Sequence, residues 1–137
     1  MVVRFGVSLE EDLLNRFDEK IREKGFSSRS DAIRALIREQ LIEEQWREPD
    51  ADVVGILVLV YDHARRDLTE NLTRIQHEHM PATVVSTHIH LDPHHCLEIV
   101  VLRGKSGRVR EIADRLKSTR AVKHGRLIMT SSGVGIP

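Results

Sequence analysis

The chain has 137 residues, room for two very small domains or one ordinary one. Hydrophobic residues make up 40% and aromatic ones 4%, so the core must be aliphatic; 21 basic residues offset 21 acidic ones, so any nucleic-acid footprint has to be a local patch. No apolar run is long enough to span a membrane, the opening MVVRFGVSLEED lacks a signal-peptide pattern, and a single cysteine, Cys96, excludes an internal disulfide, which makes the cytoplasm the expected compartment.

The first element is a strand. Val3, Phe5, Val7 and Leu9 alternate with Arg4, Gly6 and Ser8, the period of two that a half-buried strand requires. Ser8 and Glu11 then form a capping-box signature, Leu13, Leu14, Phe17 and Ile21 follow at helical spacing, and Gly25 supplies a left-handed stop. A second helix starts near Ser28, with Ile33, Leu36, Ile37 and Leu41 as its apolar stripe. One strand and two helices bury too little surface to fold alone, and the strand has no ladder partner. An intertwined dimer repairs both defects by pairing two strands into a ribbon. Such a ribbon shows Arg4, Gly6 and Ser8 outward and fits a DNA major groove, while the second helix points Ser28, Arg29 and Ser30 at a phosphate. The same alternation also describes an ordinary solvent-exposed edge strand. Residues 2–45 resemble the ribbon-helix-helix family, in which the polar strand residues contact bases.

The stretch Arg47-Glu48-Pro49-Asp50-Ala51-Asp52 reads as a linker, giving domains at 1–47 and 53–137 joined by 48–52. The two parts differ chemically. Residues 1–47 hold no histidine, and all eight histidines fall between His63 and His124. Val53–Tyr61 is a continuous apolar run suited to a strand buried on both faces. Arg65 to about His79 reads as a helix with Leu68, Leu72 and Ile75 inward, and Val84–Leu91 as a strand. A turn at Asp92–His95 leads to a strand over Cys96–Leu102, a helix over Gly107–Ser118 with Val109, Ile112, Ala113 and Leu116 inward, and a last strand over Ala121–Thr130. That order, βαββαβ, is ferredoxin-like, so the fold class is α+β. Residues 131–137 read as a flexible tail.

Metal-binding chemistry concentrates at His88-x-His90-x5-Cys96. Residues two apart in a strand share a face, so the imidazoles of His88 and His90 point together, and a tight turn sets Cys96 beside them on the next strand. Three ligand-type side chains converging across a hairpin point to a transition metal. A fourth ligand comes from the end of the preceding helix. His79 continues its inward stripe, whereas His77 points away from its own sheet, so His77 is assigned as a ligand donated to a neighbouring subunit and His79 to a supporting or packing role. His94 and His95 read as solvated turn residues and His124 as structural. Three nitrogens and one thiolate suit nickel, copper or zinc alike.

Several segments together resemble the NikR family of nickel-responsive repressors: Arg4-Phe5-Gly6-Val7-Ser8, Arg29-Ser30-Asp31-Ala32-Ile33-Arg34, Tyr61-Asp62-His63, Gln76-His77, Thr87-His88-Ile89-His90, Cys96-Leu97-Glu98 and Val122-Lys123-His124-Gly125. The resemblance implies square-planar Ni(II), one per chain, held by His88, His90 and Cys96 of one subunit and His77 of another. It also implies a homotetramer, a dimer of dimers with ACT-like C-terminal domains at its centre, that binds palindromic operator DNA as a repressor. Tyr61, His63 and Glu98 match residues that orient the ligands. Two positions depart from the family pattern: Gly6 and Ser8 stand where relatives often carry threonines, and Ala35 stands opposite Asp31 where some relatives have an acidic pair. Two other readings remain open on the residues alone. One is an ACT-like regulator that senses an amino acid; the other is a zinc hydrolase using His88, His90 and Cys96 with Glu98 as base, and the lack of a separate nucleophile or oxyanion motif counts against it.

Overall fold

The structure, a computed structural model, describes the whole chain apart from His63, Arg65, Met80 and Pro81 and the side chains of Arg66 and Asp67. By its contacts the chain divides into two compact units, Met1–Glu39 and Gln40–Pro137.

In the first unit, α1 spans Glu11–Lys24 and α2 begins at Arg29, running on to Arg47. Between them Gly25 takes the left-handed conformation (φ 74°), its N–H reaching the carbonyl of Arg22 while Phe26 reaches Ile21. Ser28 caps α2: its Oγ accepts the Asp31 N–H at 3.1 Å. The expected Ser8–Glu11 capping box is not formed, because the helix starts two residues later, with Glu10 in place of Ser8 as a cap that makes no side-chain bond. The expected strand over Val3–Leu9 is also absent from the single chain. Its backbone has no second strand to pair with, and Val3, Phe5, Val7 and Leu9 are all exposed. Phe17, Ile21, Phe26, Ala32 and Leu36 line an open apolar groove between the two helices.

The second unit is built on a four-stranded antiparallel sheet. Strands β1 (Asp52–Asp62), β2 (Thr83–His90), β3 (His95–Lys105) and β4 (Val122–Thr130) lie in the order β2-β3-β1-β4. Helices α3 (Arg66–Glu78) and α4 (Ser106–Lys117) cross over between them, so the connectivity is βαββαβ. Both helices present the stripes expected of them: Leu68, Leu72 and Ile75 on α3, and Val109, Ile112, Ala113 and Leu116 on α4, are buried. They pack on the face of β1 and β3 that carries Val53, Leu57, Leu59, Tyr61, Cys96, Val100 and Leu102.

Strand β1 was expected to be buried on both faces, and it is buried on one. Val54, Ile56, Val58 and Val60 on the other face are half-buried, as are Leu97, Ile99 and Val101 of β3, because among the described residues of this unit no helix packs on that side. The last two turns of α2 belong to this unit. Trp46 is buried in the core, its Nε1 donates to the Thr130 carbonyl at 2.9 Å, and Arg110 lies over its ring. Gly55 is what makes room for it, since a Cβ there would come within 3.1 Å of the indole and 2.9 Å of Leu127. Residues 48–51 are fastened to the start of α4 by Ser106, whose Oγ donates to the Glu48 carbonyl, and by the Gly107 N–H to Pro49. The C-terminal tail, expected to be flexible, is held in part: Gln45 Nε2 donates to the Val134 carbonyl, and the Ser131 hydroxyl accepts the Gly133 N–H.

Candidate metal centre

The centre sits where β2 and β3 pair. His88 lies opposite Glu98 and His90 opposite Cys96, so antiparallel register and the two-residue repeat put all four side chains on one face. One ligand atom from each of His88, His90 and Cys96 falls within 4.8 Å of the others, and His90 Nδ1 is 3.4 Å from the sulfur. Donors on opposite sides of a metal with bonds of about 2.0–2.3 Å stand roughly 4–4.6 Å apart, so the three residues fit a transition ion with little movement. Both imidazoles are exposed while Cys96 is buried, which leaves the site open on the side of its nitrogens.

The neighbouring hydrogen bonds fix one tautomer. Glu98 is buried and collects donors on both oxygens: Gln76 Nε2 at 2.9 Å and Ser86 Oγ at 2.6 Å on Oε1, and the Tyr61 hydroxyl at 3.1 Å on Oε2. Tyr61 has one proton, and it goes to the carboxylate. Its oxygen must therefore accept from His88 Nδ1, 2.9 Å away, so His88 carries its proton on Nδ1 and leaves the Nε2 lone pair free for a metal. Tyr61 and Glu98, expected near the site, are thus joined to it by contact. His63 lies outside the described residues. Gln76 and Ser86 were not anticipated, although Ser86 shares a strand face with His88 and the alternation of β2 could have pointed to it.

Electrostatics favour the protonated forms of the thiol and the phenol. Burial, reinforced by the carboxylates of Asp62, Asp92 and Glu98, raises the Cys96 thiol above its ordinary value. Burial also pushes the Tyr61 phenol well up, with the charge and hydrogen bond of Glu98 adding to it, so the hydroxyl stays a donor.

The turn before Cys96 is held by Asp92, which accepts the backbone N–H groups of His94 and His95 and the His95 ring. These bonds, the His95 side chain foremost, hold the Asp92 carboxyl down to about 2. His95 is therefore not the solvated turn residue expected. Its Nε2 meets Lys123 Nζ at 2.7 Å, and its backbone opens β3. His94 is exposed, and His124 is an exposed residue of β4.

His77 is exposed on the last turn of α3 and lies outside the cluster. His79, two residues on, is buried against α4, with Arg108 at 2.7 Å from Nδ1 and Arg115 at 3.0 Å from Nε2. Burial first, then the two guanidinium charges, lowers its pKa and keeps the ring neutral.

In the first unit Arg4, Gly6 and Ser8 are exposed, as are Ser28, Arg29 and Ser30 at the start of α2. Arg29 is not free for a phosphate as it stands, because it forms a two-pronged pair with Asp18 at 2.8 Å. The Asp31 carboxylate is taken up by Ser27, Ser28 and Arg34.

Known proteins bear on both units. A family model described as the NikR C terminal nickel binding domain matches residues 54–130, and one described as a ribbon-helix-helix protein of the copG family matches residues 3–44. A protein of Geobacter sulfurreducens is 50% identical over 131 residues, covering 96% of this chain and 94% of its own. One of Thermococcus onnurineus is 46% identical over 132 residues, covering 96% of each chain. Both are named as candidate nickel-responsive regulators. A solved structure of an uncharacterized protein from Thermotoga maritima matches with a TM-score of 0.51 at 11% identity, covering 57% of this chain and 96% of that one, a likeness of fold alone. Among the described residues no helix is long and apolar enough to cross a membrane.

Proposed function

The chain belongs to the NikR family of transcription regulators, which are not enzymes, and on that premise we propose that it is a nickel-responsive repressor that binds palindromic operator DNA when its C-terminal unit is loaded. The observation that carries this reading is the convergence of His88, His90 and Cys96 on one face of the β2–β3 pair, in a segment matched by a nickel-binding family. These three residues hold one Ni(II) per chain together with His77 donated by a second copy. When bound, nickel supplies a link between subunits. The protein's own part is to present two imidazoles and a thiol together: Tyr61 and Glu98 orient His88, and Asp92 shapes the turn that brings Cys96 beside His90.

Residues 1–47 form the DNA-binding domain, 48–52 the join and 53–137 the sensing and assembly domain. Two features support assembly as a homotetramer, a dimer of dimers. The segment Val3–Leu9 is apolar on alternate residues and unpaired in one chain, as a ribbon strand awaiting its partner must be. The face of the sheet carrying Val54, Ile56, Val58 and Val60 is apolar and half-covered. In the ribbon, Arg4, Gly6 and Ser8 face the DNA bases, with Ser28, Arg29 and Ser30 at a backbone phosphate; Arg29 must trade Asp18 for that phosphate. The work is done in the cytoplasm, where operator DNA is.

The test is selection of fragments of the source genome by the purified protein with and without one nickel per chain. Nickel-dependent capture of a palindrome supports sensor and repressor together. Capture indifferent to nickel removes the sensing role, and no capture removes the DNA-binding role.

A further inference from the structure

His77 is the one residue of its turn left loose. Its neighbour Gln76 is buried and bonded to Glu98, Glu78 is paired with Arg74 and with Arg115 at 2.9 Å, and His79 is packed between Arg108 and Arg115. The His77 side chain makes no hydrogen bond or ion pair among the described residues. The last carbonyls of a helix lack intrahelical partners, so such a turn frays unless something outside the helix holds it.

Arg108 and Arg115 stand seven residues apart on α4, two turns of one face and about 10 Å along the axis. They straddle the His79 ring. A guanidinium only donates, and a neutral imidazole accepts at one nitrogen, so one arginine makes the ring hydrogen bond in either tautomer. The other is held in place by its carboxylate, Glu78 for Arg115 or Glu111 for Arg108 at 3.1 Å. The ring is closed in on both sides and cannot swing out without giving up its hydrogen bond to an arginine.

We propose that Arg108 and Arg115 are positioning residues for the nickel site: by clamping His79 and Glu78 they fix the last turn of α3 and so the direction in which His77 is offered to a neighbouring copy. The proposal rests on the reading of His77 as a ligand. Neither arginine hydrogen-bonds to His88, His90 or Cys96. The one route from the clamped turn to them runs through Gln76 to Glu98, which keeps Ser86 and Tyr61 as donors if Gln76 shifts, so the main influence of the arginines falls on the fourth ligand.

The experiment is a double-mutant cycle on the full-length assembly, with nickel affinity read by competition against a chelator. Replacing both residues (Arg108→Gln with Arg115→Gln) weakens nickel binding about tenfold, the order expected when an outer partner of a ligand is lost. In the His77→Ala background the same pair of changes has less than about a twofold effect, because there is no longer a ligand to position. Hydrogen exchange at residues 76–79 quickens while that at residues 86–98 is unchanged, and the two Arg→Lys replacements together restore part of the affinity. Both side chains are about half exposed, so the variants fold, which circular dichroism checks. An equal loss of affinity in both backgrounds overturns the proposal, since the arginines then act on the domain as a whole, and so does no loss in the native background. If His77→Ala by itself leaves affinity untouched, the ligand assignment has failed, a result distinct from failure of the clamp alone.

Discussion

Tyr61→Phe isolates one hydroxyl whose two hydrogen bonds have different purposes. The ring is fully buried and phenylalanine keeps its shape, so packing is conserved. What disappears is the donor to Glu98 Oε2 and the acceptor that holds the proton on His88 Nδ1. Loss of a hydrogen bond to a charged group costs about 1.5–3 kcal/mol. Glu98 keeps Gln76 and Ser86 on its other oxygen, which places the stability loss at the lower end, about 1.5–2 kcal/mol. Freeing the His88 ring is the second effect. Outer partners of metal-bound histidines are worth roughly 10–100-fold in affinity, and a tenfold loss corresponds to about 1.4 kcal/mol. Urea unfolding of the metal-free protein measures the first quantity and chelator competition the second. Ser86→Ala is the control, since it removes a Glu98 donor without touching His88 and lowers stability while sparing affinity. A Tyr61→Phe protein that loses stability but binds nickel as tightly as before would refute the tautomer argument.

Other substitutions and conditions probe the rest of the molecule. Trp46→Ala costs about 3–5 kcal/mol of stability in thermal or urea unfolding, since it empties a core position and strands the Thr130 carbonyl. Gly55→Ala costs about 1–3 kcal/mol by overpacking, because its new methyl would meet Leu127, Trp46 and Val109 within 3.2 Å. Nickel affinity falls as the solution is acidified: the raised Cys96 pKa means its proton must leave when the metal enters, and calorimetry in buffers of different ionisation heat should find that proton. Asp92 adds a separate acid limb to stability. Its pKa drops from 3.8 unfolded to about 2 folded, so its contribution is complete above about pH 4 and is lost as pH falls towards 2; Asp92→Asn removes that limb from the pH–stability curve.

The parts of this architecture that local pattern controls were readable in advance. The inward stripes of α3 and α4, the strand face shared by His88 and His90, and the turn that returns Cys96 follow from periods of 3.6 and 2 and from Asp-Pro chemistry. The parts that depend on what lies across the fold were not. Nothing in the run Val53–Tyr61 says that one face lacks a cover, since a strand awaiting a partner chain and one buried within its own share a composition. Trp46 ends a helix whose start belongs to the other unit, and only the gap at Gly55 and the carbonyl of Thr130 give it a seat. The partners of His79 come from a helix some thirty residues away in sequence, a distance over which periodicity carries no information. Val3–Leu9 shows the converse: its alternation is plain, yet it is not paired as a strand within its own chain.

The half-covered face of the sheet has a bearing on how much protein a cell must keep. If the burial of Val54, Ile56, Val58, Val60, Leu97, Ile99 and Val101 is completed only by other copies, folding and association share one equilibrium, and dilution acts as a denaturant. The melting temperature then climbs with concentration. A regulator made in small numbers would sit near the low end of that curve, where newly made subunits spend longest with their aliphatic faces in water. Its abundance is thereby bounded from below by its own stability, independently of how many operators it has to serve.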